Sequence, residues 1–427
     1  MIFSEKAIKA RQEKAAHALE KLGKNVLVYS GEPIGKPGGL DQTYPFLPHP
    51  QHYWLSGIRR SGCIMAYSPG EGWASFVRPI DEDEILWEGS IEVPEGCPVS
   101  MLAEWLKKHS SNETVVTGAF PKDTIYKYSE EADWLIDDER RTKDAEEISL
   151  IRQAAKAASA GFAKVRSILE DPKKAFSGLT ERMLQIELEA EFMRNGAHGT
   201  SFDTIAAAGR HASVLHFSPS LREVKPDDMV MIDAGTEINE YSCDITRTMP
   251  AGGKFEPRCK NIYDLVLKAQ LAAIAKAAPG IEWHEVHETA ARVIADGLVQ
   301  LKIMKGCTDD IVETGAIGMF LPHGIGHMLG LRVRDVGGKL KGREKNTYAG
   351  AGIRVDMPLR EGFVMTVEPG IYFVEPMLNH PARREKYDCF INRSELEKWI
   401  PVGGCRIEDD ILIVNGGREV ITSNIPK

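Results

Sequence analysis

The chain has 427 residues, 43% of them hydrophobic and 27% charged, which is enough for two or three domains with buried cores and excludes a stapled miniprotein, a fibre or a disordered polymer. Its 53 basic and 62 acidic residues leave a net charge of -9, so there is no overall attraction for nucleic-acid phosphates or anionic lipid. No apolar run approaches the roughly 20 residues that cross a bilayer, and Met1–Glu20 is charged and helical rather than a signal peptide, so a cytoplasmic location is expected.

Apolar spacing predicts a helix over Arg11–Leu22, a short strand over Asn25–Tyr29 and a Gly/Pro loop over Gly31–Gly39. From His52 to Val77 short apolar stretches alternate with turns, as in a mixed sheet, and Met101–His109 reads as another helix. These make one α/β unit. The polar stretch Asp137–Asp144 (DDERRTKD) is the candidate linker, which puts the boundary near 142 and the domains at 1–142 and 143–427. Beyond it come helices over about Ala145–Leu169 and Thr180–Asn195, strands near Thr204 and Met229, helices over Asn261–Ala278 and Trp283–Leu301, and a strand-rich remainder. The fold class is therefore α/β. Seven scattered cysteines without a C-x-x-C pair read as reduced thiols, so a metal held here would use oxygen and imidazole ligands.

Met229–Pro250 reads as two strands joined at a polar turn around Ile238 and Asn239. With that midpoint, Asp233 and Asp244 would face each other on one side of the hairpin, at a Cβ separation of about 4.5 to 5.5 Å. Two like charges so placed, in strongly apolar strands, are destabilising unless something binds them. Phe363–Val367 is an apolar strand that delivers Glu368 just before Pro369-Gly370. Arg406–Val414 reads as a buried strand yet carries Glu408, Asp409 and Asp410, any of which could pair with Arg406. In Pro322–Gly330, His323 and His327 are four apart, but Gly324 and Gly326 between them and the missing Glu argue for extended or loop backbone rather than a zinc helix.

Two features carry no cofactor. His284 and His287 (WHEVHE) read as a solvated helix face, and glycines 324, 326 and 330 miss the dinucleotide fingerprint by one position. If Asp233, Asp244, Glu368 and Glu408 converge, each carboxylate pair at about 5 Å repels by roughly 3 kcal/mol at an effective dielectric of 20. Two divalent cations would neutralise the four charges, with His327 adding one imidazole. Such a ligand set suits manganese, with cobalt or zinc less selectively, and paired ions of this kind acidify a bridging water to hydroxide.

The order Asp233, Asp244, His327, Glu368, Glu408, within IDAG, DITRT, PHGIGH, TVEPGIYF and GCRIEDD, resembles the five-ligand signature of the pita-bread (M24) metallopeptidases: methionine aminopeptidase, aminopeptidase P and prolidase. The resemblance spans about Ala145–Lys427, and the preceding unit resembles the N-terminal domain of the prolidase and aminopeptidase P branch. It implies a pita-bread catalytic domain, a dinuclear metal centre and a peptide substrate, commonly in a homodimer. The 40-position spacing from Glu368 to Glu408 includes an extra stretch, Asn379–Trp399, that resembles prolidase more than bacterial aminopeptidase P. The expected activity is therefore an Xaa-Pro dipeptidase. The alternatives are an aminopeptidase P acting on longer peptides, a metal-independent creatinase-like hydrolase, and a catalytically silent binding protein.

By the same resemblance, Asp233 and Asp244 would be bidentate to the metals, His327 would bind one ion, Glu368 would bind and accept a proton, and Glu408 would bridge. His216 (VLHF) resembles a histidine that holds substrate and oxyanion, His323 a pocket-lining histidine, and Arg354 an arginine that clamps the proline carboxylate. Arg406 would brace Glu408. The chain departs from the family pattern at Arg334, in LRVRDVG, where a histidine is usual; a permanently cationic group there would stabilise an oxyanion or reach a substrate carboxylate. Ile238 and Cys243 also replace a frequent tyrosine and serine.

Overall fold

The computed structural model describes residues 2–89, 93–121, 124–345 and 347–427 and divides into two compact units, Met1–Arg141 and Thr142–Lys427. The first is built on β1 (Asn25–Tyr29), β2 (Ile64–Ser68), β3 (Gly72–Val77), β4 (Cys97–Pro98), β5 (Thr114–Gly118) and β6 (Lys127–Tyr128), in the order β4-β3-β2-β1-β5-β6. The sheet is mixed: β1 runs antiparallel to β2 and parallel to β5. Leu27, Ile64, Ala66, Phe76 and Val116 form its main apolar cluster. Part of the stretch expected as sheet is instead a helix, Pro50–Ser56, entered at Pro50 and closed by Gly57 in the left-handed region.

The polar stretch 137–144 is not a loop. Its first residues complete the helix Glu130–Arg141, which buries Ala132, Leu135 and Ile136. Its charges pair along the helix, Asp137 with Arg140 and Asp138 with Arg141, each at 2.7 Å. Asp144 then caps the helix Ala145–Leu169 in a reciprocal box with Glu147. Charged sequence here marks buried and half-buried ion pairs at a helix end, and a cap, rather than a flexible linker.

In the second unit, the helix Glu181–Arg194 packs against Ala145–Leu169, where Gly161 leaves the room that Phe192 fills. Helices Pro257–Lys276 and Trp283–Gln300 pair in the same way, with Gly297 admitting Leu265. Around these helices lie small twisted sheets. The strands are β7 (Gly199–Thr200), β8 (Ile205–Ala208), β9 (Met229–Ala234), β10 (Thr236–Ile238), β11 (Tyr241–Ser242) and β12 (Ile245–Pro250), followed by β13 (Gly338–Lys339), β14 (Thr347–Tyr348), β15 (Ala351–Gly352) and β16 (Val355–Asp356). The last five are β17 (Val364–Val367), β18 (Gly370–Tyr372), β19 (Gly404–Arg406), β20 (Asp409–Val414) and β21 (Gly417–Val420). Three groupings matter for the site: β12-β9-β8, β17-β20-β21 and β18-β19. A bridge between Thr246 and Glu408 joins the first of these to the start of β20. Among the described residues no helix is long and apolar enough to cross a membrane, and all seven cysteines are free thiols.

The aspartate hairpin differs from expectation by one residue at its turn. Ile238 pairs with Tyr241, so the turn residues are Asn239 and Glu240, both with positive φ as a two-residue hairpin turn demands. Asp233 accordingly pairs with Thr246, not Asp244. The two aspartates are diagonal neighbours, two positions off but on the same face. Gly235 permits this arrangement: a Cβ there would lie 1.8 Å from the carbonyl oxygen of Cys243. We expect Gly235→Ala to cost about 1 to 3 kcal/mol or more, as overpacking against immovable backbone does. Thermal denaturation checks this; an unchanged melting temperature would show that the strand crossing is not tight.

Candidate metal centre

A cavity of about 890 Å³ in the second unit is lined by Asp233, Asp244, His327, Glu368 and Glu408. Its lining also contains His216, His323, Arg334, Arg354 and Arg406, so every site residue picked from the sequence reaches one space. Strand ends do the positioning. Asp233 lies near the end of β9 and Asp244 just before β12, while Glu368 follows β17 and Glu408 precedes β20. His327 sits in extended backbone running along β17: Thr366 N–H donates to His327 O at 3.0 Å, and Glu368 N–H to Ile325 O at 2.8 Å. Gly326 is required there, since a Cβ would meet the carbonyl oxygen of Thr366 at 2.1 Å.

Asp244, His327 and Glu408 present ligand atoms all within 4.8 Å of one another. His327 Nε2 is 3.4 Å from Asp244 Oδ2 and 3.9 Å from Glu368 Oε1. Its Nδ1 lies 2.9 Å from Met328 O, which fixes the ring proton on Nδ1 and leaves the Nε2 lone pair facing the carboxylates. Asp233, Asp244 and Glu408 are 7%, 6% and 1% exposed, and each has one buried carboxylate oxygen without a hydrogen-bond partner. Unpaired oxygens at that depth are costly, and divalent cations satisfy them. The donor set of carboxylates with one imidazole fits hard or borderline ions.

Burial pushes Asp233 up to about 6, with Asp244 adding repulsion and Arg406 pulling the other way. Burial likewise pushes Glu368 up to about 7, against the pull of His327 and Arg406. Glu408 is raised well above the carboxylate range by burial and then by Asp244 and Glu368. His327 moves up despite its burial, because Asp244 and Glu368 favour the imidazolium. These are the responses of carboxylates crowded together out of water.

Arg406 differs from expectation. It pairs with Asp233 rather than bracing Glu408 directly, and its Nη1 donates to Tyr372 OH at 2.7 Å. It reaches Glu408 only through Thr246, whose hydroxyl accepts from Arg406 Nε at 3.2 Å and donates to Glu408 Oε2 at 2.7 Å. Asp409 and Asp410, next along the strand, find other partners. Asp409 pairs with Arg247 at 2.7 Å and Lys427 at 2.5 Å, and Asp410 accepts from Asp244 N–H at 3.1 Å.

Several supporting residues were not picked out beforehand. Tyr372 OH lies 2.9 Å from His323 Nε2, while His323 Nδ1 lies 3.0 Å from Gly324 O. Burial, and then Arg406, lower His323 to about 3, so it is a neutral ring with both nitrogens engaged. Glu181, fully buried, accepts from Ala208 N–H and His211 with one oxygen and from Ser220 with the other, tying down the loop that carries His216. Arg182 and Gln185 also line the cavity. The available signals were polar residues inside apolar runs: Thr246 two positions after Asp244, and Tyr372 four after Glu368.

A second group, Glu282, His284 and Asp356, has metal-like spacing, but Arg343 already fills it at 2.8 Å from Glu282 and 2.9 Å from Asp356. His287 is not on a solvated face. It is completely buried, because Trp283, Val286, His287, Ala290 and Ala291 form the inner stripe of their helix.

The model of metallopeptidase family M24 matches residues 149–415, and that of the aminopeptidase P N-terminal domain matches residues 8–119. A probable Xaa-Pro aminopeptidase of Colletotrichum graminicola is 34% identical, with 90% of this chain and 86% of that protein covered. One from Paracoccidioides brasiliensis is 29% identical, with 97% and 94% covered. Among solved structures, Pseudomonas aeruginosa aminopeptidase PepP superposes with TM-score 0.79 at 28% identity, covering 100% of this chain and 97% of that one. Escherichia coli aminopeptidase P with the inhibitor Pro-Leu gives 0.78 at 25% identity, covering 100% and 96%. The fold class expected from the sequence, an N-terminal domain with a pita-bread catalytic domain, agrees with these structures. The names favour the aminopeptidase alternative over the dipeptidase inferred from spacing. The extra stretch Asn379–Trp399 folds largely as short helices, and none of its residues lines the cavity.

After chelation of metal, the folded chain should hold protons on Asp233 and Glu368 more tightly than the unfolded chain, whose ordinary values are 3.8 and 4.5. The stability this contributes is complete below about pH 4 and is lost as pH rises through 6 to 7. Denaturation of chelated protein should therefore show a falling contribution across that window, offset by added divalent metal at pH 8. Equal stabilisation by metal at pH 5 and pH 8 would contradict the assignment.

Proposed function

Since the chain belongs to metallopeptidase family M24 and is a metal-dependent peptide hydrolase, we propose that it is an Xaa-Pro aminopeptidase, releasing the N-terminal residue from peptides with proline second. The observation that carries this reading is the group Asp233, Asp244, His327, Glu368 and Glu408 at one cavity, three of its acids holding unpartnered oxygens, in a chain whose relatives are named for that activity.

In this reading the five residues hold two divalent ions, manganese being the best match to the donor set. When bound, the ions supply Lewis acidity and an acidified water near neutral pH. Glu368, raised toward neutrality by burial, is suited to take a proton from the attacking water and pass it to the proline nitrogen of the departing peptide. His216, on the cavity wall and lowered by partial desolvation and by Arg334, Arg406 and Arg354, is a neutral donor for the developing oxyanion. Neutral His323, held between Tyr372 and Gly324, keeps its wall of the site rigid and uncharged. Arg406 and Thr246 orient Asp233 and Glu408 so that ligand geometry is set before substrate arrives. Arg354 and Arg334 are suited to contact the substrate from the cavity lining.

Manganese-loaded protein should release the first residue of Xaa-Pro-Yaa peptides and leave Xaa-Ala-Yaa intact. Glu368→Gln should lower kcat by roughly 10² to 10⁴, the range for removal of a general base. Cleavage confined to Xaa-Pro dipeptides would restore the dipeptidase reading. Full activity after exhaustive chelation, or none with metal present, would contradict the proposal.

A further inference from the structure

After β21 the chain runs back alongside the start of β20, and none of residues 421–427 lines the cavity. Ile421 N–H donates to Asp410 O at 2.8 Å, and Asp410 N–H to Thr422 Oγ1 at 3.1 Å. Thr422 and Ile425 are buried and Lys427 is half-buried.

Asp409, fully buried next to Glu408 but outside the cavity lining, has both carboxylate oxygens filled. Its Oδ1 accepts from Arg247 Nη2 and Thr422 Oγ1, each at 2.7 Å, and its Oδ2 from Gln270 Nε2 at 2.8 Å and Lys427 Nζ at 2.5 Å. Lys427 Nζ also donates to Gln270 Oε1 at 2.9 Å. The arginine held in this way spends its other N–H groups on backbone. Nη1 donates to Glu408 O at 2.5 Å and Thr246 O at 2.9 Å, while Nε and Nη2 donate to Ile425 O at 3.1 and 2.8 Å. Glu408 N–H donates to that same Thr246 O at 3.0 Å, and Asp244 N–H to Asp410 Oδ2 at 3.1 Å.

Two of the acids that face the cavity, Glu408 and Asp244, are therefore tied by their backbone to groups that Thr422 and Lys427 hold. Metal ligands work only when fixed to within about 0.5 Å, and a carboxylate is no better placed than the backbone that carries it. Asp409 without Lys427 would be a buried acid facing one cation, and Arg247 would lose the fixed anchor from which it grips Glu408.

We infer that the stretch Thr422–Lys427 is a clamp for the metal centre, in which Thr422 and Lys427 are positioning residues that set Glu408 and Asp244 in ligand geometry from behind the cavity. This rests on the reading of those acids as ligands of divalent ions and deepens it.

Manganese binding should be measured by calorimetry on chelated wild type, Thr422→Val, Lys427→Met, Lys427→Arg and Ser423→Ala, with the metal-free melting temperature of each. Thr422→Val and Lys427→Met should bind manganese roughly ten- to hundredfold more weakly, the range for loss of a group that orients metal ligands. Lys427→Arg should recover most of the affinity, and Ser423→Ala, exposed on the same stretch, should match wild type. Weakening that exceeds any fall in metal-free stability supports the clamp; affinity that falls only in step with stability overturns it. Wild-type affinity in both Thr422→Val and Lys427→Met would also overturn it and leave the peptidase reading standing. So would a loss that Lys427→Arg shares in full. No uptake by the wild-type chain would remove both.

Discussion

Mutual repulsion among four carboxylates in one cavity is the constraint on which the second unit is organised. Asp233, Asp244 and Glu408 are almost without solvent, and Glu368 is half-buried beside His327. In the absence of countercharge such a group protonates or drives the fold apart, so its persistence calls for bound cations. The unpartnered oxygens of three of the acids mark where those charges act.

The scaffold meets this constraint by giving each ligand a fixed strand end and each neighbouring charge a separate partner. Glu408, Asp409 and Asp410 are consecutive, yet only Glu408 turns into the cavity. Asp409 is paired with Arg247 and Lys427, while Asp410 accepts one backbone N–H and is pushed well above the carboxylate range by burial and by Asp244, so three acids in a row meet three different local solutions. Arg406 carries one positive charge into the group through Asp233 and, by way of Thr246 and Tyr372, links Glu408 to His323. The residues that bind and the residues that orient are one hydrogen-bonded body.

Much of this was legible in the sequence because it depends on local pattern. The strand Asn25–Tyr29 and the helix Ala145–Leu169 appear as their periodicity predicts, and the glycines flanking His327 signal extended backbone that β17 can approach. What was not legible depends on long-range pairing. The hairpin turn falls at Asn239-Glu240 because backbone with positive φ, not apparent polarity, sets the register, and that moved Asp244 from opposite Asp233 to its diagonal. Arg406 was assigned the wrong carboxylate because its partner lies 173 residues away. His287 looked solvated beside its acidic neighbours, although the apolar stripe of its helix passes through it. The stretch Asn379–Trp399 was overread, since none of its residues lines the cavity.

The central claim is that this carboxylate group exists to hold a pair of divalent ions. Titration of chelated protein with manganese, followed by calorimetry and elemental analysis, tests it most directly. The account predicts uptake of about two ions per chain, with uptake reduced when Asp244 is replaced by asparagine or Glu408 by glutamine while the fold is retained. Unaltered uptake in both variants, or no uptake by the wild-type chain, would contradict it.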